Sequence, residues 1–466
     1  MKAIQITFLV AVALLMLIPL LLFDFEEGAI SEIDNRVLAS SPFGLSDGQD
    51  LSEAIEDYVS DRIGLRDKMI LSYTVLNDKI FQKMVHPLYT YGRDGYVFGE
   101  GITGSDAAYT EFHEAFADMV KQIQDYCDAR GVPFVFVFDP AKPAVLTEYL
   151  GKGVNYDRSW VDDFMAALDE RGIRYVDNTV TMREATAAGI AVFNQKYDAN
   201  HWNALGAYYG TRAVLEELQK DYPTIHINDV NEEGYIYYDL VTSLPVSAFP
   251  IEEYVPRVVD CERATQEMLR PYAEELYRDP SYISFKYYQN EQRMNEGAPR
   301  ALVFQGSYMN KFQEFFADAF GEYIFVHDYQ NVIDFDYYYN IFQPDVVIFE
   351  VAEYTFTNGY FNYEKMRDMT LNPVLDEVEY TASESVELPR EALSVEVGEM
   401  LTKIMWNDVD AIGECAWLCM DISYDMNRTE HGYEVTVHTE TYDNYKDSMK
   451  FVVLSDQILL TYEIKS

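Results

Sequence analysis

The stretch Val132-Pro133-Phe134-Val135-Phe136-Val137-Phe138-Asp139-Pro140 indicates which class of fold this chain adopts. It is a continuous run of β-branched and aromatic residues, broken only by Pro133. It ends at a turn, as a strand buried on both faces of a parallel sheet does. Similar runs at 301–304, 323–326 and 346–351 are separated by segments with a helical spacing of apolar residues. Strands that alternate with helices predict an α/β fold with a mostly parallel sheet flanked by helices.

The regions around this core differ in composition. Residues 25–100 are interpreted as a linker followed by a helical and turn segment, and residues 101–372 as the α/β domain. A tyrosine-rich stretch at about 222–298, with a predicted helix near 257–278, interrupts the alternation and is interpreted as an insertion over the core. Alternating apolar patterns predict a small β-rich domain over residues 373–466. Within the α/β domain, helices are predicted at 111–129, 157–171, 179–188, 203–220 and 309–320.

Residues 1–24 predict a transmembrane anchor. The apolar run 4–23 is about as long as a helix that spans a bilayer. Lys2 precedes the run and acidic residues follow it, so the positive-inside rule predicts that the rest of the chain is outside the cytoplasm. A cleaved signal peptide is the alternative, but the run is long for one and no small-residue cleavage motif follows it. We therefore expect a single-pass protein of the cell membrane with an extracytoplasmic domain.

The net charge of −44 argues against nucleic acid as a partner, because binding to phosphate backbones needs a basic face. Four cysteines in 466 residues do not make a disulfide framework. The i, i+4 spacing of Cys415 and Cys419, with no histidine nearby, does not make a zinc site, and it fits either a disulfide or two buried thiols. With no glycine-rich phosphate loop and no His/Cys cluster, the sequence predicts no metal and no cofactor.

A predicted strand that ends in Gly306-Ser307 offers a nucleophile. A strand followed by Gly-Ser and a helix exposes a hydroxyl at the carboxyl edge of a sheet, and it aims backbone N–H groups at the same point. The alternative is an ordinary serine N-cap in a strand-to-helix turn, since Gly-Ser is a common dipeptide.

A second polar cluster, Asp198-Ala199-Asn200-His201-Trp202, offers a base and a group that orients it. Asp and His three residues apart on a loop can place the carboxylate against the imidazole, which fixes the tautomer and stabilises the imidazolium. The alternative is an Asx-type cap with the histidine packed on Trp202. Together the two clusters supply the hydroxyl, the base and the orienting acid that nucleophilic catalysis needs.

Several segments in a shared order resemble a known family. These segments are 34–38, 61–66, 92–98, 140–142 and 344–353, besides the Gly-Ser turn and the Asp-x-x-His-Trp cluster. Over roughly residues 30–356 the chain resembles the SGNH hydrolases, and more specifically the AlgX/AlgJ-type alginate O-acetyltransferases and the related DHHW proteins of Gram-positive bacteria. The resemblance implies an SGNH-like, flavodoxin-like α/β domain in which the Asp/His cluster precedes the serine, as it does here.

By this resemblance Ser307 is the nucleophile, His201 the general base and Asp198 its partner. In the alginate relatives the Asp stands two residues before the His, where this chain has Ala199, so Asp198 follows the spacing of SGNH hydrolases at large. The family's other oxyanion-hole segments are not found in the sequence. The residues predicted to take over the role of those oxyanion segments, or to contact the substrate, are Tyr308, Asn310, Lys142 and Trp202.

The resemblance also implies a function. We expect an O-acyltransferase, most simply an O-acetyltransferase, that loads Ser307 from a multipass membrane acyltransferase and passes the acyl group to a cell-envelope or exported polysaccharide. An acetylesterase with the same three residues is a second hypothesis. A non-catalytic glycan-binding or scaffold protein of the envelope is a third, because the oxyanion segments are missing. The β-rich domain fits either glycan binding or a stabilising role.

Overall fold

The computed structural model of this chain describes residues 2–31, 33, 36–42, 51–86, 88–101, 108–227, 229, 235–245, 249–259, 265–267, 270–276, 285–327, 329–407 and 413–464. The linker residues 43–50, Cys261 and the Asp34-Asn35 part of the first family-like segment lie outside these ranges.

The helices are α1 (Lys2–Leu21), α2 (Leu51–Arg62), α3 (Arg66–Phe81), α4 (Glu111–Ala129), α5 (Lys142–Val145), α6 (Ser159–Glu170), α7 (Asn178–Ala187), α8 (Ala204–Leu218), α9 (Arg270–Glu275), α10 (Glu291–Asn295), α11 (Glu314–Ala317), α12 (Phe335–Phe342), α13 (Tyr363–Asp368) and α14 (Thr439–Tyr445). The strands are β1 (Ile30–Ser31), β2 (Arg36–Val37), β3 (Tyr89–Tyr91), β4 (Val97–Gly99), β5 (Phe134–Asp139), β6 (Tyr175–Asp177), β7 (Ile236–Ser243), β8 (Pro250–Val258), β9 (Thr265–Glu267), β10 (Phe285–Gln289), β11 (Arg300–Gln305), β12 (Glu322–His327), β13 (Val346–Ala352), β14 (Ala382–Leu388), β15 (Leu393–Val397), β16 (Leu401–Asn407), β17 (Cys415–Cys419), β18 (Ser423–Asp425), β19 (Asn427–Arg428), β20 (Gly432–His438), β21 (Lys450–Ser455) and β22 (Ile458–Ile464).

The central sheet has the order β6-β5-β13-β11-β12-β10-β9. Its first five strands are parallel to one another, and β10 and β9 add antiparallel pairs at one edge. Helix α4 covers the sheet with Phe116, whose ring lies 6.0 Å from that of Phe136 and 5.9 Å from that of Phe349. The fully buried strands β5 and β13 explain the unbroken apolar runs in the sequence. The predicted α/β fold with a mostly parallel sheet is confirmed.

The N-terminal segment begins with α1, whose residues Ile4–Leu21 are long and apolar enough to cross a membrane. Its side chains are exposed almost throughout, so it is not a helix of the protein core. Helices α2 and α3 follow, and the hairpin β3–β4 then joins them to the α/β domain.

The predicted helix near 257–278 is wrong for the described residues. Strand β8 continues to Val258, β9 occupies 265–267, and α9 spans only six residues. Tyr272 on α9 and Leu276 just after it are buried in the core cluster and are 4% and 6% exposed. Strands β9 and β10 join the central sheet, so part of the insertion extends the sheet rather than covering it.

The long helix predicted at 309–320 is also wrong. Ser307–Met309 forms a 3₁₀ turn, and α11 has only four residues. The apolar spacing is helical, but Lys311 adopts a left-handed backbone with φ 70°, which breaks the helix.

The C-terminal region is rich in β-structure, as predicted. One sheet has the order β14-β22-β21-β17-β18 and the other β15-β16-β20-β19. Trp406 of the second sheet packs on the first, with ring distances of 5.4 Å to Phe451 and 4.6 Å to Tyr462. Cys415 and Cys419 are free thiols on β17, so no disulfide joins them.

Candidate active site

Ser307 lies at the carboxyl end of β11, a strand between β13 and β12 in the middle of the sheet. The 3₁₀ turn begins at Ser307, so the N–H groups of Ser307 and Tyr308 have no acceptor within that turn. Gly306 precedes the serine because the ring of Tyr329 occupies the space that a Cβ at this position would need. The close approach of that ring fixes the place where the serine hydroxyl emerges.

The structure brings the serine together with the Asp/His cluster across about a hundred residues of chain. His201 Nε2 lies 2.8 Å from Ser307 Oγ. His201 Nδ1 lies 2.8 Å and 2.9 Å from the two carboxylate oxygens of Asp198. Asp198 has a left-handed backbone, φ 57°, which turns its carboxylate back over the loop to accept the N–H groups of Asn200 and His201 as well. This is the geometry that proton transfer from a serine through an oriented imidazole requires.

The charges within this chain of hydrogen bonds support one another. Burial tends to raise the pKa of Asp198, but the charge and hydrogen bonds of His201 outweigh burial and hold the pKa below its usual value. Burial tends to lower the pKa of His201, but the charge of Asp198 and its hydrogen bond outweigh burial and raise it. The side chains of His201 and Asp198 are 26% and 28% exposed, so a small substrate can reach them. The imidazole is therefore a stronger base than a free histidine.

The loop that leads to Asp198 is held by the insertion. The carboxylate of Glu253, on β8, accepts the backbone N–H groups of Gln195, Lys196 and Tyr197 at 2.6, 2.9 and 2.6 Å. This contact was not predicted, and no local pattern in the sequence links residue 253 to residues 195–197.

Lys142 does not lie where it was predicted. Its ammonium is fully buried and donates to the carbonyl of Val97 at 2.7 Å and to that of Gln195 at 3.3 Å. Burial lowers its pKa to about 7, while the charges of Asp198 and Glu253 oppose that shift. Lys142 thus ties the β3–β4 hairpin to the Asp198 loop and has no surface for a substrate.

The side chains of Tyr308 and Trp202 are buried and support the loops around the site. The Tyr308 hydroxyl is enclosed and donates to the carbonyls of Pro140 and Asn200, at 2.9 and 3.0 Å. Trp202 is 3% exposed, and its indole N–H donates to the Tyr308 carbonyl at 2.7 Å. The backbone N–H of Tyr308, like that of Ser307, has no acceptor within the 3₁₀ turn. Asn310 is exposed at the end of the 3₁₀ turn, and its N–H donates to the carbonyl of Ser307 at 3.1 Å.

Tyr354 is a site residue that the sequence analysis missed. Its hydroxyl lies 3.0 Å from Ser307 Oγ. Burial raises its pKa well above the usual value, so the phenol keeps its proton and can donate. The signal was present in the sequence, because Tyr354 immediately follows Glu353 at the end of β13, and polar residues at the carboxyl ends of parallel strands meet at one edge of the sheet.

Buried acidic residues lie in β13 and in the 3₁₀ turn that follows it. Glu353 receives hydrogen bonds from the Ala141 N–H at 3.0 Å and from Arg158 at 3.2 Å. Glu350 is hydrogen-bonded to Asp139, and both are buried. Burial raises the pKa of Asp139 to about 7 and that of Glu350 well above its usual value, so this pair carries a proton at neutral pH. Among the described hydrogen bonds, none joins these carboxyls to Ser307.

Comparison with known proteins agrees with this architecture. Residues 90–243 match the family model described as "SGNH hydrolase-like domain, acetyltransferase AlgX", a segment that contains Asp198 and His201 and ends before Ser307. No curated protein sequence matches the chain.

Three solved structures are similar at low identity. The O-acetyltransferase domain of Pseudomonas putida AlgJ is 15% identical, with 61% of this chain and 99% of that one covered and a TM-score of 0.41. PatB1 of Bacillus cereus is 14% identical, with 58% and 97% covered and a TM-score of 0.40. A DHHW family protein of Eubacterium siraeum is 13% identical, with 61% and 100% covered and a TM-score of 0.39. The resemblance seen in the sequence is confirmed, because residues 90–243 match the model of the SGNH hydrolase-like domain of the AlgX acetyltransferase type.

Proposed function

We propose that this protein is an extracytoplasmic, membrane-anchored O-acyltransferase that acetylates a cell-envelope or exported polysaccharide through an acyl-enzyme on Ser307. The observation that carries the proposal is the continuous set of hydrogen bonds from Asp198 through His201 to Ser307 Oγ. A scaffold protein of the envelope does not need these hydrogen bonds, so their presence disfavours the non-catalytic alternative.

In the first half-reaction His201 Nε2 accepts the proton of Ser307 Oγ as the oxygen attacks the acyl carbonyl of the donor. Asp198 stabilises the imidazolium that forms. The backbone N–H groups of Ser307 and Tyr308 and the phenol of Tyr354 are placed to donate to negative charge that develops on oxygen. His201 then returns the proton to the leaving group, which departs and leaves the ester on Ser307.

In the second half-reaction a sugar hydroxyl takes the place of the leaving group. His201 accepts its proton while the sugar oxygen attacks the serine ester, and Ser307 regains that proton when the acyl group leaves. A multipass acyltransferase in the same membrane is the proposed donor, since an anchored α1 would keep Ser307 near the bilayer.

The decisive experiment compares Ser307→Ala with the wild type and with Ser394→Ala, which changes an exposed serine on β15. Ser307→Ala should abolish acetylation of the envelope polysaccharide in cells, and Ser394→Ala should leave the acetyl content unchanged. Equal acetyl content in all three strains would refute the proposal. A sulfonyl fluoride should label Ser307 in the wild type and fail to label the Ser307→Ala protein.

An acetylesterase remains the second candidate, because the partial exposure of His201 and Asp198 gives water access to the base. The purified protein is incubated with an aryl acetate, with and without oligosaccharide. A transferase gives an acetylated sugar and releases aryl alcohol faster when sugar is present. An esterase releases acetate at a rate that the sugar does not change.

A further inference from the structure

The turn between α2 and α3 is bonded directly to the end of α1. The Gly64 N–H donates to the Pro19 carbonyl, and the Asp24 N–H donates to the Arg62 carbonyl, each at 2.9 Å. Pro19 lies two residues before the end of α1, which is about 3 Å along a helix axis. If α1 spans a bilayer, the start of α3 therefore lies at the depth where lipid headgroups meet acyl chains.

Buried polar contacts hold this junction together. The Arg62 guanidinium is 1% exposed and donates to the carbonyl of Ala39 at 2.8 Å and to that of Glu26 at 2.5 Å. No side chain fits at position 64, because Leu22 occupies the space of a Cβ there. The segment 61–66, which the resemblance singled out and the proposed catalysis does not use, thus fixes the angle at which α3 leaves the anchor.

Helix α3 is apolar on two opposite faces. One face carries Leu71 and Val75 and packs toward the core cluster that also contains Ala199, two residues before His201. The other face carries Met69, Tyr73, Leu76 and Ile80, spaced i, i+4, i+7 and i+11, and these side chains are 45, 58, 55 and 58% exposed. Large apolar side chains aligned on one exposed helix face mark an interaction surface.

Helix α2, on the other side of the turn, carries a second exposed apolar stripe. Leu51, Ile55 and Val59 are spaced i, i+4 and i+8, and they are 56, 45 and 42% exposed. Arg66 and Lys68 line a cavity of about 500 Å³ at the start of α3 together with Leu22. Arg66 is paired with Asp67 at 2.9 Å, whereas Lys68 is exposed. An exposed basic side chain beside an apolar stripe is typical of helices that lie in a lipid interface.

We propose that the apolar stripe of α3, with that of α2, lies on the outer leaflet of the membrane next to the anchor. The inference rests on the proposed insertion of α1. The lipid surface is the occupant because the stripe begins where the anchor leaves the bilayer. Such helices insert about 5–10 Å into the interface, so the membrane and the Asp198 loop would lie on opposite sides of one helix.

The test uses tryptophan reporters in the full-length protein, reconstituted in phosphatidylcholine vesicles that contain doxyl-labelled lipid. The four native tryptophans are at most 4% exposed, so they contribute a background that lipid quenchers do not reach. The reporters are Tyr73→Trp on the stripe, Leu21→Trp at the end of α1, and Tyr380→Trp as a matched control that is 50% exposed in a loop far along the chain.

We expect the lipid to quench the Tyr73→Trp reporter about as strongly as the Leu21→Trp reporter, while the Tyr380→Trp control keeps its emission. Adding Leu76→Glu to the Tyr73→Trp variant should relieve most of the quenching. If only the Leu21→Trp reporter is quenched, the anchor stands and the inference is wrong. An unquenched Tyr73→Trp reporter whose emission changes with protein density in the vesicle would assign the stripe to a second copy. Quenching of neither reporter would overturn the anchor and the inference together.

Discussion

Replacing Asp198 with asparagine tests the proposed proton path most directly. Asparagine tolerates the left-handed backbone at this position, φ 57°, and its amide oxygen can still accept the N–H groups of Asn200 and His201. The loop should keep its shape. The substitution removes the negative charge that lies 2.8 Å from His201 Nδ1. It therefore no longer favours the imidazole tautomer whose Nε2 is free to accept the serine proton.

The expected loss is large. In a serine triad this change lowers kcat by about 10⁴-fold, which corresponds to about 5 kcal/mol of transition-state stabilisation. The pH profile should also shift. Because Asp198 raises the pKa of His201, the acid limb of the wild type lies above the usual histidine value of 6.5. Without the carboxylate, burial lowers that pKa, so the acid limb of the variant moves to lower pH.

The assay is kcat/KM for acyl transfer from an aryl acetate, measured across the pH range for the wild type, Asp198→Asn and a matched control. Asp456→Asn is suitable as the control, because Asp456 also has a left-handed backbone, φ 52°, and lies exposed in the β21–β22 turn. A loss of less than about tenfold with an unmoved acid limb would refute the role of Asp198 in orienting the base.

Three other changes give separate tests. Tyr354→Phe removes the hydroxyl 3.0 Å from the serine oxygen, and it should lower kcat by about 10–100-fold with little change in KM, measured in the same transfer assay. Gly306→Ala places a methyl group in the space that the buried ring of Tyr329 occupies, so it should lower the free energy of unfolding in urea by about 1–3 kcal/mol. Gly359→Ala is the control, because the added methyl group has only one neighbour, at 3.6 Å, and the free energy of unfolding should not change. Glu350→Gln removes one of two buried carboxyls whose raised pKa values in the folded state make stability fall as pH rises. The free energy of unfolding in urea is measured at about pH 5 and about pH 8. Its decrease between these two pH values should be smaller in the variant than in the wild type. An equal decrease would mean that Asp139 and Glu350 do not titrate as inferred.

The sequence predicted those features that depend on local pattern. The buried strands β5 and β13 appear as apolar runs, and α4 has the same bounds as its predicted helix. Polar residues that follow the ends of predicted strands also indicated where Ser307 and the Asp/His cluster would lie. The predicted helix at 309–320 was wrong because apolar spacing does not reveal a residue with a left-handed backbone, such as Lys311. The predicted helix at 257–278 was wrong because the same spacing does not reveal that β9 pairs with β10, which lies further along the chain.

The site residues divide in the same way. Those that stand next to a strand end were within reach of sequence reasoning. Lys142 and Trp202 were misassigned because a polar or aromatic residue near a catalytic motif has the same pattern whether it faces a substrate or the protein interior. The contact of Glu253 with three consecutive N–H groups depends on the path of the insertion, and nothing local in the sequence specifies that path.

The position of Glu253 has a consequence for altering specificity by exchanging the β7–β8 hairpin. One carboxylate of this hairpin accepts the backbone N–H groups of the three residues immediately before Asp198, the partner of the general base. A graft that omits an acid at this position would leave three amides without acceptors and free the loop to drift. An exchange of the hairpin should therefore keep a glutamate at position 253 whenever the catalytic loop is kept.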